Sequence, residues 1–217
     1  MTPEETQKPP ASKELLRKFI PDFLLKQRDI VLRLGPAGRT YAALRLRDAI
    51  GLRASNRRLV PATARSFVFV CFGNLMRSAM AEFLMKQELA QAGVGDKVEV
   101  VSAGLHALSG REAHPWAQQA SADLGIFLDG HRAKLLTQGM IERADCVLAM
   151  DFQNKAELLA RYPQSRDKIY MLSAYAEGAW QYREIPDPYF GDLQDTRHCA
   201  RQLQICIRNL VRSIFPH

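Results

Sequence analysis

The chain has 217 residues, 47% hydrophobic, 24% charged and 8% aromatic, with a net charge of +7. That length suits one ordinary domain with an appendage, and the composition excludes disordered, collagenous and disulfide-dense classes. No apolar run approaches the ~18 residues that a bilayer span requires.

The charge is uneven. Residues 1–65 hold 14 Lys+Arg against 6 Asp+Glu, whereas residues 66–217 hold 16 against 17. The division is expected near Arg65, giving a basic helical N-terminal extension and linker (1–65) and a second piece (66–217). Met1 to Pro10 is polar and contains Glu4 and Glu5, without the basic start and apolar core of a signal peptide. A cytoplasmic location is therefore expected. Within the extension, Glu14 to Ile20 reads as a short helix stopped by Pro21. A second helix is expected from Asp22 to Leu34, ended by Gly35-Pro36, and a third from Tyr41, capped by Thr40, to Ile50. Leu52 to Arg65 is polar and basic, like a linker.

The second piece alternates strand and helix patterns. Strands are predicted at Ser66–Cys71, Val98–Val101, Cys146–Met150 and Ile169–Leu172. Helices are predicted at Ser78–Ala92, at Pro115–Leu124, from the Asp151 cap to Arg161, and from Asp192 onward. Such alternation implies an α/β fold, a four-stranded parallel sheet with helices on both faces, and ligands at the carboxyl ends of the strands.

The first strand ends at Cys71, followed by Phe72-Gly73-Asn74-Leu75-Met76 and then Arg77-Ser78 at a helix start. A tight loop leading into a helix N-terminus directs amide N–H groups at an oxyanion, and Gly73 eases the turn. Arg77 adds a planar fork that matches two phosphate oxygens. In that field a thiolate is favoured, so Cys71 is the candidate nucleophile toward phosphorus and Ser78 a hydrogen-bond partner for its sulfur. The same spacing recurs from Cys206 to Arg212-Ser213, but within one continuous helical pattern. Positions six apart on a helix lie about 120° apart around the axis, so the second copy is a decoy. Downstream, Ile185-Pro186-Asp187-Pro188-Tyr189-Phe190 offers Asp187 as general acid on a proline-stiffened backbone, with Tyr189 and Phe190 as walls for a leaving group. Asp-Pro is also a common turn dipeptide, so Asp187 gains its role from its pairing with the Cys71 loop.

Four stretches in order, VCFGNLMRSAMAE (70–82), VSAGLHALSG (101–110), ADCVLAMD (144–151) and EIPDPY (184–189), resemble the low-molecular-weight protein tyrosine phosphatases over Phe67 to Phe215. The resemblance implies that fold and a two-step cysteinyl-phosphate mechanism, with Cys71 as nucleophile, Arg77 as phosphate clamp, Asp187 as acid and then base, and Asn74 bracing the loop. It implies no metal or organic cofactor. The SAGLHALSG run looks most like bacterial members that accompany exopolysaccharide or capsule assembly and act on tyrosine autokinases. It implies a phosphotyrosine protein as substrate and a shallow wall of His106, Ala107 and Leu108. Many relatives carry a second cysteine just before the loop arginine. Here that position is Met76, which removes one route for protecting an oxidised Cys71.

Two other readings compete. A thioredoxin-coupled arsenate reductase shares the loop and fold but needs relay cysteines, and Cys199 and Cys206 lie too far apart along one helical pattern to pair. A phosphotyrosine-binding adaptor without turnover would lack catalytic residue types that this chain has. The four cysteines and five histidines show no metal-ligand spacing. The basic extension suits an acidic partner, a phosphorylated kinase tail or peripheral contact with anionic lipid, against the plain alternative of a solvated face; nucleic acid is not expected. Trp116 is expected to pack a helix face, His131 and Arg132 to lie on a surface loop, and Trp180 to sit in the variable stretch before Asp187, where it could line the cleft.

Overall fold

A computed structural model describes residues 22–52, 57–181 and 183–216. The expected helix at Glu14 to Ile20, and part of the expected linker, lie outside the described residues. Among the described residues, two α-helices, α1 (Asp22–Arg33) and α2 (Gly38–Ala49), precede the sheet. The remainder runs β1 (Ser66–Cys71), α3 (Arg77–Gln91), β2 (Glu99–Gly104), α4 (Pro115–Ala122), α5 (Gln138–Arg143), β3 (Cys146–Ala149), α6 (Phe152–Arg161), β4 (Ile169–Met171) and α7 (Leu193–Ile214). All four strands pair in parallel in the order β2-β1-β3-β4. The predicted four-stranded α/β architecture is present.

The two faces of the sheet follow from the two-residue pleat of a strand. Phe67, Phe69 and Cys71 of β1 turn to one side and join a core built with Met80, Leu84 and Met85 of α3, Ala117 of α4, and Leu203, Cys206 and Leu210 of α7. Val68 and Val70 turn to the other, where Val147, Ala149, Phe152, Ala156 and Leu158 meet Ile30 of α1 and Tyr41 and Leu44 of α2. A strand apolar on both faces must be covered twice, which is why β1 reads as an unbroken apolar run. The extension thus packs onto the catalytic body through α6.

Two details differ from the sequence reading. The third helix begins at Gly38, so Thr40 lies inside it and does not cap it. Gly35 follows the end of α1, as expected, with a left-handed φ of 50°, and opens a single 3-10 turn that leads directly into α2. Gly38 is needed there because a Cβ would run into the Val31 carbonyl. The short helix α5 was not predicted, although Thr137 caps it by accepting from Met140 N.

Candidate active site

Register brings the candidate residues to one end of the sheet. Cys71 pairs with Gly104 and Val70 with Ala149, so the loop after β1, the turn after β2 and the Asp151 corner after β3 emerge side by side. Cys71 is 4% exposed, and its Sγ lies 3.0 Å from Ser78 Oγ in the first turn of α3. The loop is held from behind. Asn74 takes a left-handed φ of 54°, and its Nδ2 donates to Ser78 Oγ (2.9 Å) and Ser102 Oγ (2.8 Å) while its Oδ1 accepts from Lys134 N. Ser102 in turn donates to the buried Glu82 at 2.6 Å.

Backbone freedom is needed at a different glycine from the one the sequence suggested. Gly73 has no positive φ and would meet only the Leu75 side chain at ordinary distance. At Gly104, by contrast, a Cβ would sit 2.8 Å from Asn74 N, Gly73 C and Phe72 O. The loop folds down onto a residue that has no side chain.

Arg77 is 2% exposed. Its Nη1 donates to Asp151 Oδ2 (2.5 Å) and to the Ile185 carbonyl (3.1 Å), and its Nη2 donates to Asp187 Oδ2 (2.6 Å). Burial alone pushes this guanidinium toward its neutral form, but Asp151 and Asp187 more than offset that and hold it charged. Its Nε, buried, has no hydrogen-bond acceptor among the described residues. A buried donor without a partner is costly, and an oxyanion seated in the loop would satisfy it. Asp151 also accepts from Asn154 N as the cap of α6, so a single carboxylate starts that helix and aims Arg77.

The residues named for the wall separate by burial. His106 stacks on Phe72, ring centroids 4.6 Å apart, and its Nε2 is 2.7 Å from Glu157. Leu108 is exposed, but Ala107, expected in the wall, is 7% exposed and belongs to the core beneath it. Successive residues leaving a strand end point in opposite directions, so only its neighbours face out. Phe72, assigned above only to the phosphate loop, supplies an aromatic surface that the sequence reading missed. On the Asp187 side, Tyr189 lies edge-on to His114 and to Phe190, which is almost fully exposed. Trp180 lies edge-on to His198 of α7, and Trp116 is half-buried against the core. Arg132 is exposed as expected, but His131 is buried, with Nε2 2.8 Å from the Asn74 carbonyl.

The other cysteines are inert by environment. Burial pushes the Cys146, Cys199 and Cys206 thiols each up to about 12. Cys206 faces the core whereas Arg212 is exposed, so the repeated spacing in α7 builds no loop.

Residues 66–215 match the family described as low molecular weight phosphotyrosine protein phosphatase. The chain belongs to that family. Among its relatives, a protein named probable low molecular weight protein-tyrosine-phosphatase EpsP from Ralstonia nicotianae is 38% identical over 140 residues, 64% of this chain and 89% of the relative. A protein-arginine-phosphatase from Bacillus subtilis is 33% identical over 147 residues, 68% of this chain and 95% of the relative. In three dimensions, the crystal structure of a low molecular weight protein tyrosine phosphatase from T. tengcongensis superposes with a TM-score of 0.63 at 32% identity, covering 69% of this chain and 99% of that one. The family match starts where β1 starts, so α1 and α2 lie outside it.

Proposed function

We propose that this phosphatase hydrolyses phosphotyrosine in proteins through a phosphocysteine on Cys71, with a bacterial tyrosine autokinase in exopolysaccharide regulation as its substrate class. The observation that supports this most is the buried Arg77 fork, which has one donor unpaired among the described residues and carboxylates at both terminal nitrogens, and which feels the charge of Cys71. The phosphate dianion enters the loop, takes the Nε and Nη2 donors of Arg77, and displaces Asp187 from Nη2. Released from the guanidinium, Asp187 takes up a proton from solvent before the chemical step. The Cys71 thiolate attacks phosphorus, the P–O bond to the tyrosine breaks, and Asp187 gives its proton to the departing phenolate. Asp187, now ionised, takes a proton from a water as that water's oxygen bonds to phosphorus and the P–S bond breaks, releasing inorganic phosphate and restoring the thiolate. Ser78, 3.0 Å from Sγ, donates to the sulfur as it leaves.

The exposed rings of Phe72, His106 and Tyr189 suit a flat aryl group. The autokinase assignment is supported by the SAGLHALSG run and its open, shallow wall. A thiol relay to thioredoxin is disfavoured because thiols at about 12 are poor attackers near neutral pH.

The test is turnover of 4-nitrophenyl phosphate, a phosphotyrosine peptide and free phosphoarginine by wild type and Cys71→Ser. Expected are turnover of the two aryl esters, loss of both in Cys71→Ser, and a phosphorylated Cys71 captured by rapid quench and mass spectrometry. Preference for phosphoarginine over the phosphotyrosine peptide overturns the substrate assignment, and a Cys71→Ser variant that still turns over overturns the mechanism.

A further inference from the structure

Asp187 has to be placed within reach of the leaving oxygen, and the segment that carries it is tied down just upstream. Ile185 N donates to Met150 O (3.0 Å), the Ile185 carbonyl accepts from Arg77, and the Glu184 carbonyl accepts from Gln202 Nε2 (3.2 Å). The remaining tie is the Glu184 side chain. Its Oε1 accepts from Phe152 N (2.5 Å) at the start of α6, and its Oε2 meets Arg45 Nη1 at 2.5 Å. Arg45 comes from α2, outside the family match.

This ion pair differs from an ordinary surface pair, in which two floppy side chains cancel the Coulomb gain. Arg45 Nε donates to Tyr41 Oη (2.9 Å), and Tyr41 Oη donates to Gln27 Oε1 of α1 (2.6 Å). The guanidinium lies 5.1 Å from the Phe152 ring centroid and 5.4 Å from that of Tyr41. Tyr41 is itself fully buried. The fork is therefore held by packing before Glu184 arrives. Burial pushes the Glu184 carboxyl up, and the charge of Arg45 is the largest influence opposing that.

We propose that Arg45 is a positioning residue for the general acid: from the N-terminal extension it fixes Glu184 against the start of α6, and through the short Ile185-Pro186 link it sets where Asp187 stands. Pro186 stiffens that link, so a displacement at Glu184 passes to Asp187 instead of being absorbed. The extension thereby contributes to P–O cleavage without touching the substrate. This inference rests on the proposed role of Asp187 as acid.

A misplaced acid has a kinetic signature that general damage lacks. An electron-poor phenolate departs without a proton, whereas a basic one needs it, and kcat/KM reports the steps up to departure of the phenol. The experiment measures kcat/KM on 4-nitrophenyl phosphate and on phenyl phosphate for wild type, Asp187→Ala, Arg45→Met and Glu184→Gln. Met keeps an aliphatic stem over Phe152, and Glu184→Gln removes the ion pair from the other side without touching the extension. Expected for both Arg45→Met and Glu184→Gln is a rate within about twofold of wild type on 4-nitrophenyl phosphate and about tenfold lower on phenyl phosphate, a fraction of the full effect of a general acid. An Arg45→Met,Glu184→Gln double variant should be no worse than either single variant. Equal losses on both substrates, or none, overturn the role of Arg45. If Asp187→Ala itself shows no added penalty on phenyl phosphate, Asp187 is not the acid, and the underlying reading falls together with the inference. A result in which only Asp187→Ala discriminates removes the inference alone.

Discussion

At the scale of single residues, the candidate site joins groups that are local in sequence to groups that meet only across the fold. Cys71 and Arg77 share one short loop, so strand pattern, spacing and helix start identified them together. Asp151 meets Arg77 across 74 positions and Ser102 meets Asn74 across 28, and neither periodicity nor composition carries those distances. His131 was misplaced for the same reason: its neighbours read as a turn, but its partner is the Asn74 carbonyl. The geometry at Arg77 also makes a prediction that the sequence could not. Because Asp187 Oδ2 occupies Nη2 at 2.6 Å, an incoming oxyanion competes with a carboxylate for that donor. Asp187→Asn should bind tungstate about fivefold more tightly by calorimetry at pH 7, the equivalent of relieving a competing pair of about 1 kcal/mol. Its turnover of phosphotyrosine should fall by ~10²-fold or more. Weaker tungstate binding would mean that Asp187 helps to hold the anion instead of competing with it.

At the scale of elements, long apolar runs and well-capped helices announced themselves. The Asp151 and Asp192 caps set the starts of α6 and α7, and the buried run Ser66–Cys71 set β1. The short helix α5 escaped because six residues containing a glycine give too little period to detect. Predicted strand β2 stopped at Val101 because Ser102 and Gly104 look like loop residues, yet the strand continues to Gly104. Both polarity and smallness there serve the loop above it: Ser102 braces Asn74, and Gly104 lets the backbone of residues 72–74 descend. Gly104→Ala would press a methyl group against three backbone atoms. Overpacking of this kind costs about 1–3 kcal/mol. The expected result is a lower Tm together with a loss of kcat on 4-nitrophenyl phosphate that exceeds the loss caused by Gly73→Ala, whose new methyl meets only a flexible leucine. Comparable behaviour of the two alanine variants would contradict this account of the loop.

At the scale of the whole molecule, a charge split says nothing of how the N-terminal helices sit. Ile30, Tyr41 and Leu44 are the large side chains that bury, and they are spread over two helices joined by the 3-10 turn that follows α1. Once docked, those three cover Phe152 and Ala156 on the outer side of α6. Val60 and the residues after it belong instead to the opposite core, where Val60 N donates to Tyr175 Oη at 2.8 Å. A chain beginning at Arg57 therefore keeps every strand and the core on the α7 side but leaves the α6 face bare. Fully burying a residue such as Ile30, Tyr41 or Leu44 contributes about 1.5–3 kcal/mol, much of it offset by the entropy of ordering two helices. The net loss on truncation should be on the order of 2–4 kcal/mol, a fall in Tm of ~5–10 °C for a chain of this size. Because the same cut removes Arg45, the truncated protein should also lose more activity on phenyl phosphate than on 4-nitrophenyl phosphate. Thermal melts and paired kinetics on the chain 57–217 measure both. An unchanged melt would show that the extension contributes no net stability to the body, and uniform kinetics would separate its packing from any hold on the acid.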